Sequence, residues 1–207
     1  MALIGRVALI FLRTPGSRET PLYTLAPNSA DRRSAQTAIF DTVATLAKLI
    51  APVMPFTADE VWSFLPGRET ESVHLAKFPE ADATMRDVEL EARWERLLNV
   101  RRVASLELEK ARQAKTIGKS LEAQVEIEAD NEATRDLLEK LGPMLETVLI
   151  VSQARVARPT GSELRVKVSP AAGKKCVRCW RWTQDGGTDA AHPELCGRCT
   201  EVVRALA

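Results

Sequence analysis

Apolar residues recur every three to four positions through the first half of the chain, which is the spacing of an amphipathic helix. A first helix is predicted to begin after Asn28-Ser29-Ala30 and to end before Pro52 and Pro55. Its apolar stripe is Ala35, Ile39, Val43, Leu46 and Ile50. Thr57, with Glu60 three residues later, has the spacing of a capping box and predicts the start of a second helix.

A longer helix is predicted from about Met85 to Lys115, closed by Gly118. Its stripe is Leu90, Trp94, Leu97, Ala104, Leu108 and Ala111. An amphipathic helix needs a partner for its apolar face. The three segments are therefore expected to form a helical bundle within residues 31–117, each helix burying one face against the others.

After residue 118, apolar and polar residues alternate at every second position, which indicates half-buried strands. Strands are predicted at 121–128, 148–151 and 164–168, with a helix at 132–141 and a last short helix at 197–206. The expected fold is mainly α: a helical bundle, a small α+β junction unit and a zinc module. The predicted divisions are 1–21 (unassigned), 22–117, 118–170 and 171–207.

The composition limits the possible classes of protein. The 207 residues carry a formal net charge of only +1, so any affinity for nucleic acid must come from local clusters. No apolar run reaches the ~18 residues of a membrane span. The apolar stretch at 2–12 is interrupted by Arg6 and has no clear cleavage pattern after it, so we expect no secretory signal and a cytoplasmic location.

All four cysteines lie in the last 32 residues, as two Cys-x-x-Cys pairs separated by sixteen residues. This spacing is typical of a tetrahedral zinc site in a reducing compartment, although redox pairs or free thiols share the pattern. The predicted ligands are Cys176, Cys179, Cys196 and Cys199. A shell of four thiolates leaves no position for water, so the zinc is expected to be structural. His192 is expected to lie at the surface.

Cations and indoles alternate around the first cysteine pair. The candidate RNA contacts are Lys174, Lys175, Arg178, Trp180, Arg181 and Trp182. Cations can meet phosphates and indole faces can stack on unpaired bases. The alternatives are that either tryptophan covers the metal site and that the arginines are solvated. A second candidate cluster, Arg112 and Lys115 near the end of the long helix, is equally compatible with a solvated helix face.

Four stretches of the chain resemble bacterial isoleucyl-tRNA synthetase. The first two are Arg32-Arg33-Ser34-Ala35-Gln36-Thr37 and the segment 49–62, whose Pro55-Phe56-Thr57-Ala58-Asp59-Glu60-Val61-Trp62 is similar to an anticodon-binding-domain motif. The third, at 111–123, resembles A-R-x-x-K-x-I-G-x-S-L-E-A, and the fourth is Lys175-Cys176-Val177-Arg178-Cys179-Trp180.

The resemblance implies a tRNA-binding piece from the C-terminal part of an enzyme that joins isoleucine to its tRNA with ATP. This region would contact the anticodon stem-loop of the isoleucine tRNA, with Arg178 and Trp180 as the leading candidates. Arg112 and Lys115 match the junction motif. The implied protein is a monomer, with ATP bound only in a separate catalytic part.

Some features depart from the family pattern. No H-I-G-H-like or K-M-S-K-S-like stretch occurs, so we expect no aminoacylation by this chain, and residues 1–21 do not resemble the family.

Three alternative functions are an RNA-binding module acting in trans, a DNA-glycosylase zinc-finger fragment and a zinc ribbon that contacts proteins. The glycosylase would need a catalytic Pro-Glu at its mature N-terminus, whereas this chain starts Met-Ala-Leu.

Overall fold

A computed structural model describes residues 21–81, 86–158 and 161–206. About half of the described residues are helical, and the rest include a small sheet and a cluster of four cysteines. The helices are α1 (Pro21–Thr24), α2 (Ala30–Ile50), α3 (Pro55–Ser63), α4 (Val88–Gln113), α5 (Glu132–Leu141), α6 (Met144–Leu149) and α7 (Gly197–Arg204). The strands are β1 (Ala123–Glu128), β2 (Gln153–Ala157), β3 (Arg165–Pro170), β4 (Lys174–Lys175) and β5 (Trp182–Thr183). Two 3-10 turns cover Val73–Leu75 and Ser120–Glu122.

Helix α2 begins where the sequence predicts, because the Ser29 side chain accepts a hydrogen bond from the Arg32 backbone N–H at 3.3 Å. Its buried positions are Ala38 and Ala47, whereas Leu46 of the predicted stripe is 46% exposed. Ala47 packs against α3, since it shares a hydrophobic cluster with Trp62. The predicted stripe is therefore displaced by about one residue at its C-terminal end.

Helix α3 does not start at the predicted capping box. It starts at Pro55, after Met54 in the cap position and without a side-chain cap hydrogen bond. Proline is favourable in the first turn of a helix because the N–H that it lacks would have no partner there. Pro55, which the sequence suggested as a stop signal for α2, is thus the first residue of α3.

Helix α4 packs against the sheet, and the predicted packing of all three helices as one bundle is wrong. Its N-terminus is capped by Asp87, whose carboxylate accepts a hydrogen bond from the Leu90 N–H at 2.9 Å. Met85 lies outside the described residues. The buried side chains of α4 belong to the hydrophobic cluster that contains β1, whereas α2 and α3 form a cluster of their own. These α4 residues are Leu97, Val100, Ala104 and Leu108.

The sheet has the order β2-β1-β3, with β1 parallel to β2 and antiparallel to β3. Parallel neighbours require a crossover connection, and α5 and α6 supply it between β1 and β2. Strand β1 is central and its apolar side chains are fully buried, with Val125 opposite Ala154 on one side and Val168 on the other. The predicted strand 121–128 and helix 132–141 are confirmed to within a few residues.

The predicted strand at 148–151 is wrong. Met144–Leu149 is helical, Ile150 ends the helix in the left-handed region at φ 59°, and β2 begins only at Gln153. A short apolar run does not distinguish a buried helical turn from a strand.

Strands β4 and β5 form a two-stranded antiparallel hairpin in the cysteine-rich segment, followed by α7. Gly173 precedes the hairpin at φ 104°, and a Cβ there would lie 2.2 Å from the Thr183 carbonyl oxygen. Only glycine fits this close approach of the two strands. Within the described ranges no helix has the length and apolar character of a membrane span.

Candidate metal centre and nucleic-acid interface

Two separate turns bring the four cysteine sulfurs together. The Sγ atoms of Cys176, Cys179, Cys196 and Cys199 all lie within 4.8 Å of one another, and all four side chains are buried. The Cys179 and Cys196 sulfurs are 3.7 Å apart. Two thiolates bound about 2.3 Å from one tetrahedral zinc would lie about 3.8 Å apart, close to the separation of the Cys179 and Cys196 sulfurs.

Backbone hydrogen bonds shape the first turn. The Trp180 N–H donates to the Cys176 carbonyl at 2.8 Å, and the Cys176 N–H donates to the Arg181 carbonyl at 2.9 Å. Trp180 occupies the left-handed region at φ 66°, which is uncommon for an aromatic residue. The turn therefore reverses sharply at Trp180 and fixes the direction in which its indole leaves the backbone.

The second cysteine pair opens helix α7, with Cys196 in the cap position and Cys199 in the first turns. The Asp185 carboxylate accepts a hydrogen bond from the Gly197 N–H at 2.9 Å and so joins the intervening loop to the start of the helix. His192 is half-buried and is not part of the sulfur cluster.

The thiols differ in acidity because they share hydrogen bonds within one buried cluster. Hydrogen bonds with Cys179 and Cys196 hold the pKa of Cys199 far below its usual value. The hydrogen bond with Cys179 lowers the pKa of Cys196, but the hydrogen bond with Cys199 and burial outweigh it and raise that pKa to about 11. Zinc takes thiolates, so binding displaces the remaining protons and compensates for the buried negative charge.

Arg178, a leading candidate for RNA contact, holds the zinc module against the start of the described chain. Its guanidinium donates to the Thr24 carbonyl at 2.6 Å and to the Tyr23 carbonyl at 3.3 Å. It also donates to the Cys199 sulfur at 3.6 Å. With these partners, Arg178 joins residues more than 150 positions apart in sequence.

Arg181 is 9% exposed and lies between the zinc module and the sheet. It forms an ion pair with Glu146, and it donates to the carbonyl oxygens of Val151 and Ser152 at 3.3 Å each. The hypothesis that Arg181 contacts RNA does not fit this position, because the side chain is enclosed and its Nη2 group binds Glu146 and two carbonyl oxygens of the protein.

Two lysines from different parts of the chain approach the ring of Trp180. The ammonium groups of Lys119 and Lys175 are 5.5 and 5.3 Å from its ring centroid, within cation–π distance. The ring is half-buried, and its Nε1–H donates to the Val177 carbonyl at 3.0 Å. Lys119 was not among the predicted site residues. Its position inside the junction motif, just before Ser120, was the available signal.

Trp182 lies on β5, paired with Lys175 across the hairpin, and lines a cavity of about 400 Å³ beside Lys115. Its backbone N–H donates to the Ser152 hydroxyl at 2.8 Å. Lys174 and Lys175 are exposed on β4. Among the predicted RNA contacts near the zinc, the two lysines are therefore exposed, Arg178 is half-buried and Arg181 is buried.

Arg112 and Lys115 lie where helix α4 ends. Arg112 pairs with Glu109 and donates to the Ser120 hydroxyl at 3.2 Å. Lys115 is exposed and takes a left-handed conformation at φ 58°. Its N–H donates to the Arg112 carbonyl at 3.0 Å, and the following N–H of Thr116 donates to the Ala111 carbonyl at 2.9 Å. This is a Schellman motif with lysine where glycine is usual.

Comparison with known proteins finds family matches to two parts of the chain. Residues 17–127, more than half of the chain, match the family model of the anticodon-binding domain of tRNA ligases. The chain belongs to this family. Residues 173–202 match a zinc finger found in FPG and IleRS, which identifies the cysteine cluster as a structural zinc site. The match at 17–127 separates the chain from the glycosylase alternative.

The similar curated proteins are isoleucine–tRNA ligases. Those of Brachyspira hyodysenteriae and Syntrophotalea carbinolica are 45% and 44% identical, each over 88% of this chain and 20% of the relative. The enzyme of Bordetella pertussis is 45% identical over 86% of the chain and 19% of the relative. The chain thus spans about a fifth of the length of the curated relatives that it matches.

Proposed function

We propose that this chain is the tRNA-binding, C-terminal part of an isoleucine–tRNA ligase and that it contacts the anticodon stem-loop of the isoleucine tRNA. The family of residues 17–127 and the names of the similar proteins support this assignment. Ligation of isoleucine with ATP is proposed for the parent enzyme, with activation in the part of the relatives that this chain does not match.

The arrangement of Trp180 between Lys119 and Lys175 is the observation that carries the proposal. An aromatic face flanked by two ammonium groups suits a single-stranded nucleotide, because the base can stack while the cations approach its phosphates. Zinc fixes the turn that holds Trp180, so little conformational entropy would be lost when RNA binds.

The proposed interface includes the two lysines near this indole and the exposed cations adjacent to them in the helix–strand junction and the hairpin. They are Lys115, Lys119, Lys174 and Lys175, with Arg112 at the edge. Arg178 and Arg181 are assigned to holding the zinc module in place, since their guanidinium groups bind backbone carbonyls. This assignment revises the sequence-based hypothesis, in which both arginines met RNA directly.

The proposal also covers architecture and assembly. We propose a mainly α protein in which residues 171–206 form the zinc module. The predicted boundary between 117 and 118 does not separate independently packed units, because α4 and β1 share one hydrophobic cluster. A monomer in the cytoplasm is the proposed state.

Binding of an isoleucine anticodon stem-loop, measured by fluorescence anisotropy, tests the proposal. Trp180→Ala is expected to weaken binding by roughly 1–3 kcal/mol, whereas Trp180→Phe should retain most of the affinity. Lys119→Ala and Lys175→Ala should each reduce the salt dependence of binding by nearly one counterion.

Lys140→Ala is the matched control, because Lys140 is an exposed lysine of α5 that neither contacts Trp180 nor lines the cavity. It should leave both the affinity and the salt slope unchanged. Equal affinity of the native chain for isoleucine and unrelated stem-loops would overturn the proposed function, as would full affinity in a zinc-loaded Trp180→Ala chain.

A further inference from the structure

Arg178 lies inside the first Cys-x-x-Cys turn, between two of the metal ligands, and its guanidinium has partners on two sides. The Nη1 group donates to the Cys199 sulfur at 3.6 Å and to the Thr24 carbonyl at 2.6 Å. The Nη2 group donates to the Tyr23 carbonyl at 3.3 Å. One side chain therefore joins a metal ligand directly to helix α1.

The contact with sulfur matters because the metal centre is negatively charged. Four thiolates exceed the charge of one Zn²⁺ by two negative charges, and all four cysteine side chains are buried. Buried charge is costly unless nearby donors or opposite charges compensate for it. Arg178 brings both an N–H donor and a positive charge to the Cys199 sulfur. Groups that bind a metal ligand in this way orient the ligand and raise the affinity for the metal.

The contact with α1 satisfies backbone groups that the helix itself leaves free. Tyr23 and Thr24 are the last two residues of this four-residue helix, and carbonyl groups at a helix C-terminus have no partner within the helix. Thr24 is only 3% exposed, so this end of α1 is covered by the rest of the protein. Helix α1 in turn packs against α2. Through α1, Arg178 is thus connected to the helical part of the chain, α1 to α3.

No hydrophobic core among the described residues extends from the helical part to the zinc module. Helices α2 and α3 have one hydrophobic cluster, α4 and the sheet have another, and the four cysteines form a third with Leu195. Within the described ranges, these three clusters share no member. Polar contacts therefore matter for the position of α1 on the module, and those of Arg178 come from within a metal-binding turn.

We propose that Arg178 links zinc binding to the docking of α1 on the zinc module. Zinc holds the Cys-x-x-Cys turn, and the turn holds the guanidinium where it reaches both the Cys199 sulfur and the α1 carbonyls. Loss of zinc frees the turn, so the guanidinium leaves α1 and the helical part separates from the module. Linkage is reciprocal, so docking of α1 raises the affinity for zinc by the factor with which zinc favours docking. The inference does not involve RNA and goes beyond the proposed function.

Fluorine NMR of the full chain tests the link from metal to helix. Tyr23 is the only tyrosine among the 207 residues, so incorporation of 3-fluorotyrosine gives one signal, which reports on α1. Removing zinc with a chelator should shift this signal in the native chain, and added zinc should restore it. In Arg178→Ala at saturating zinc, the signal should already lie at its zinc-free position. Arg204→Ala is the matched control and should behave as the native chain does, because Arg204 is a 61% exposed arginine of α7 that pairs with Asp189.

Zinc affinity, measured by competition with a chelator dye, tests the link from helix to metal. Arg178→Ala is expected to weaken zinc binding roughly 10-fold. Thr24→Trp places a large side chain at a buried position of α1 and should weaken zinc binding by about 5-fold or more, although residue 24 binds no metal. Tyr23→Trp is its control and should leave zinc affinity unchanged, since Tyr23 is 74% exposed. In the chain that carries both Arg178→Ala and Thr24→Trp, the second change should add nothing to the first.

The contrary outcomes are distinct. If the Tyr23 signal of the native chain does not respond to zinc, Arg178 serves the metal alone and the link is refuted, even where Arg178→Ala lowers zinc affinity. Equal zinc affinities of Thr24→Trp and Tyr23→Trp, or of Arg178→Ala and Arg204→Ala, would also overturn the proposal.

Helical circular dichroism verifies the folding of each variant. If Arg178→Ala does not fold, Arg178→Lys decides the result, because an ammonium keeps the charge but lacks the planar array of donors that reaches the sulfur and both carbonyls. Its Tyr23 signal should not respond to zinc, and a native response would refute the link. Neither measurement uses RNA, so the proposed function is tested separately.

Discussion

Replacing Arg181 with alanine tests whether this arginine holds the zinc module to the sheet. The change removes the partner of Glu146 and leaves the Val151 and Ser152 carbonyls without their guanidinium donor. Breaking a buried ion pair on one side costs about 3–5 kcal/mol. The Glu146 side chain keeps 26% of its exposure and can be partly rehydrated, so we expect about 3 kcal/mol. That is a large share of a stability of ~5–15 kcal/mol.

Urea unfolding of the zinc-loaded chain measures this loss. Lys110→Ala is the matched control, because Lys110 pairs with Glu107 in the same way but is 71% exposed. Exposed pairs contribute about 0–1 kcal/mol, so the control should shift the unfolding midpoint little. Equal shifts in Arg181→Ala and Lys110→Ala would refute the assignment of Arg181 to the internal interface.

The salt dependence of RNA binding is a second, independent test of Arg181→Ala. If Arg181 holds the module in place, folded Arg181→Ala should keep the salt dependence of the native chain, because no phosphate contact is lost. If Arg181 met a phosphate, the slope would fall by nearly one counterion with little change in stability. If Arg181→Ala weakened the salt dependence of RNA binding and left the urea unfolding midpoint unchanged, the original hypothesis that Arg181 contacts RNA would be supported.

Two further predictions concern the end of α4 and the metal. In urea unfolding, Lys115→Gly should stabilise the chain by about 0.5–1 kcal/mol, because glycine takes the left-handed region without strain. The same variant should bind RNA more weakly, since it loses a cation. Gly142→Ala, at φ 49°, should destabilise the chain by about 0.5–1 kcal/mol. Native mass spectrometry should find one zinc per chain. Zinc affinity, measured by competition with a chelator dye, should fall as pH falls. Thiols such as Cys196, whose pKa is raised to about 11, must lose their protons to bind the metal. A zinc affinity that does not change with pH would contradict thiolate ligation.

The metal centre could be predicted from the sequence because its geometry is local. A Cys-x-x-Cys turn brings two sulfurs to one point whatever the rest of the chain does, and only the meeting of two such turns needed the fold. Helix α2 and strand β1 were predicted for the same reason, since a cap residue and an alternating pattern are properties of a short segment.

The errors occur where distant residues decide the outcome. The run 148–151 is apolar enough for a strand, but Leu145, Val148 and Leu149 all enter the core from a helical turn, and β2 pairs with β1 further on. Helix α4 has an apolar stripe that fits a bundle and a sheet equally well. Its true partner, the face of β1 and β3, is not encoded in the stripe itself.

The arginines and lysines around the zinc show why composition alone does not separate the roles that we propose for these site residues. A guanidinium presents a planar array of donors suited to several fixed acceptors, so Arg178 and Arg181 each bind two carbonyl oxygens of the protein. An ammonium is a strongly hydrated point charge, and Lys119 and Lys175 remain near the surface around Trp180. The zinc module is thus fastened by its arginines at two places, at residues 23–24 and at the sheet. That attachment keeps the hairpin next to the helix–strand junction, so that Lys119 of the junction and Lys175 of the hairpin both approach the ring of Trp180.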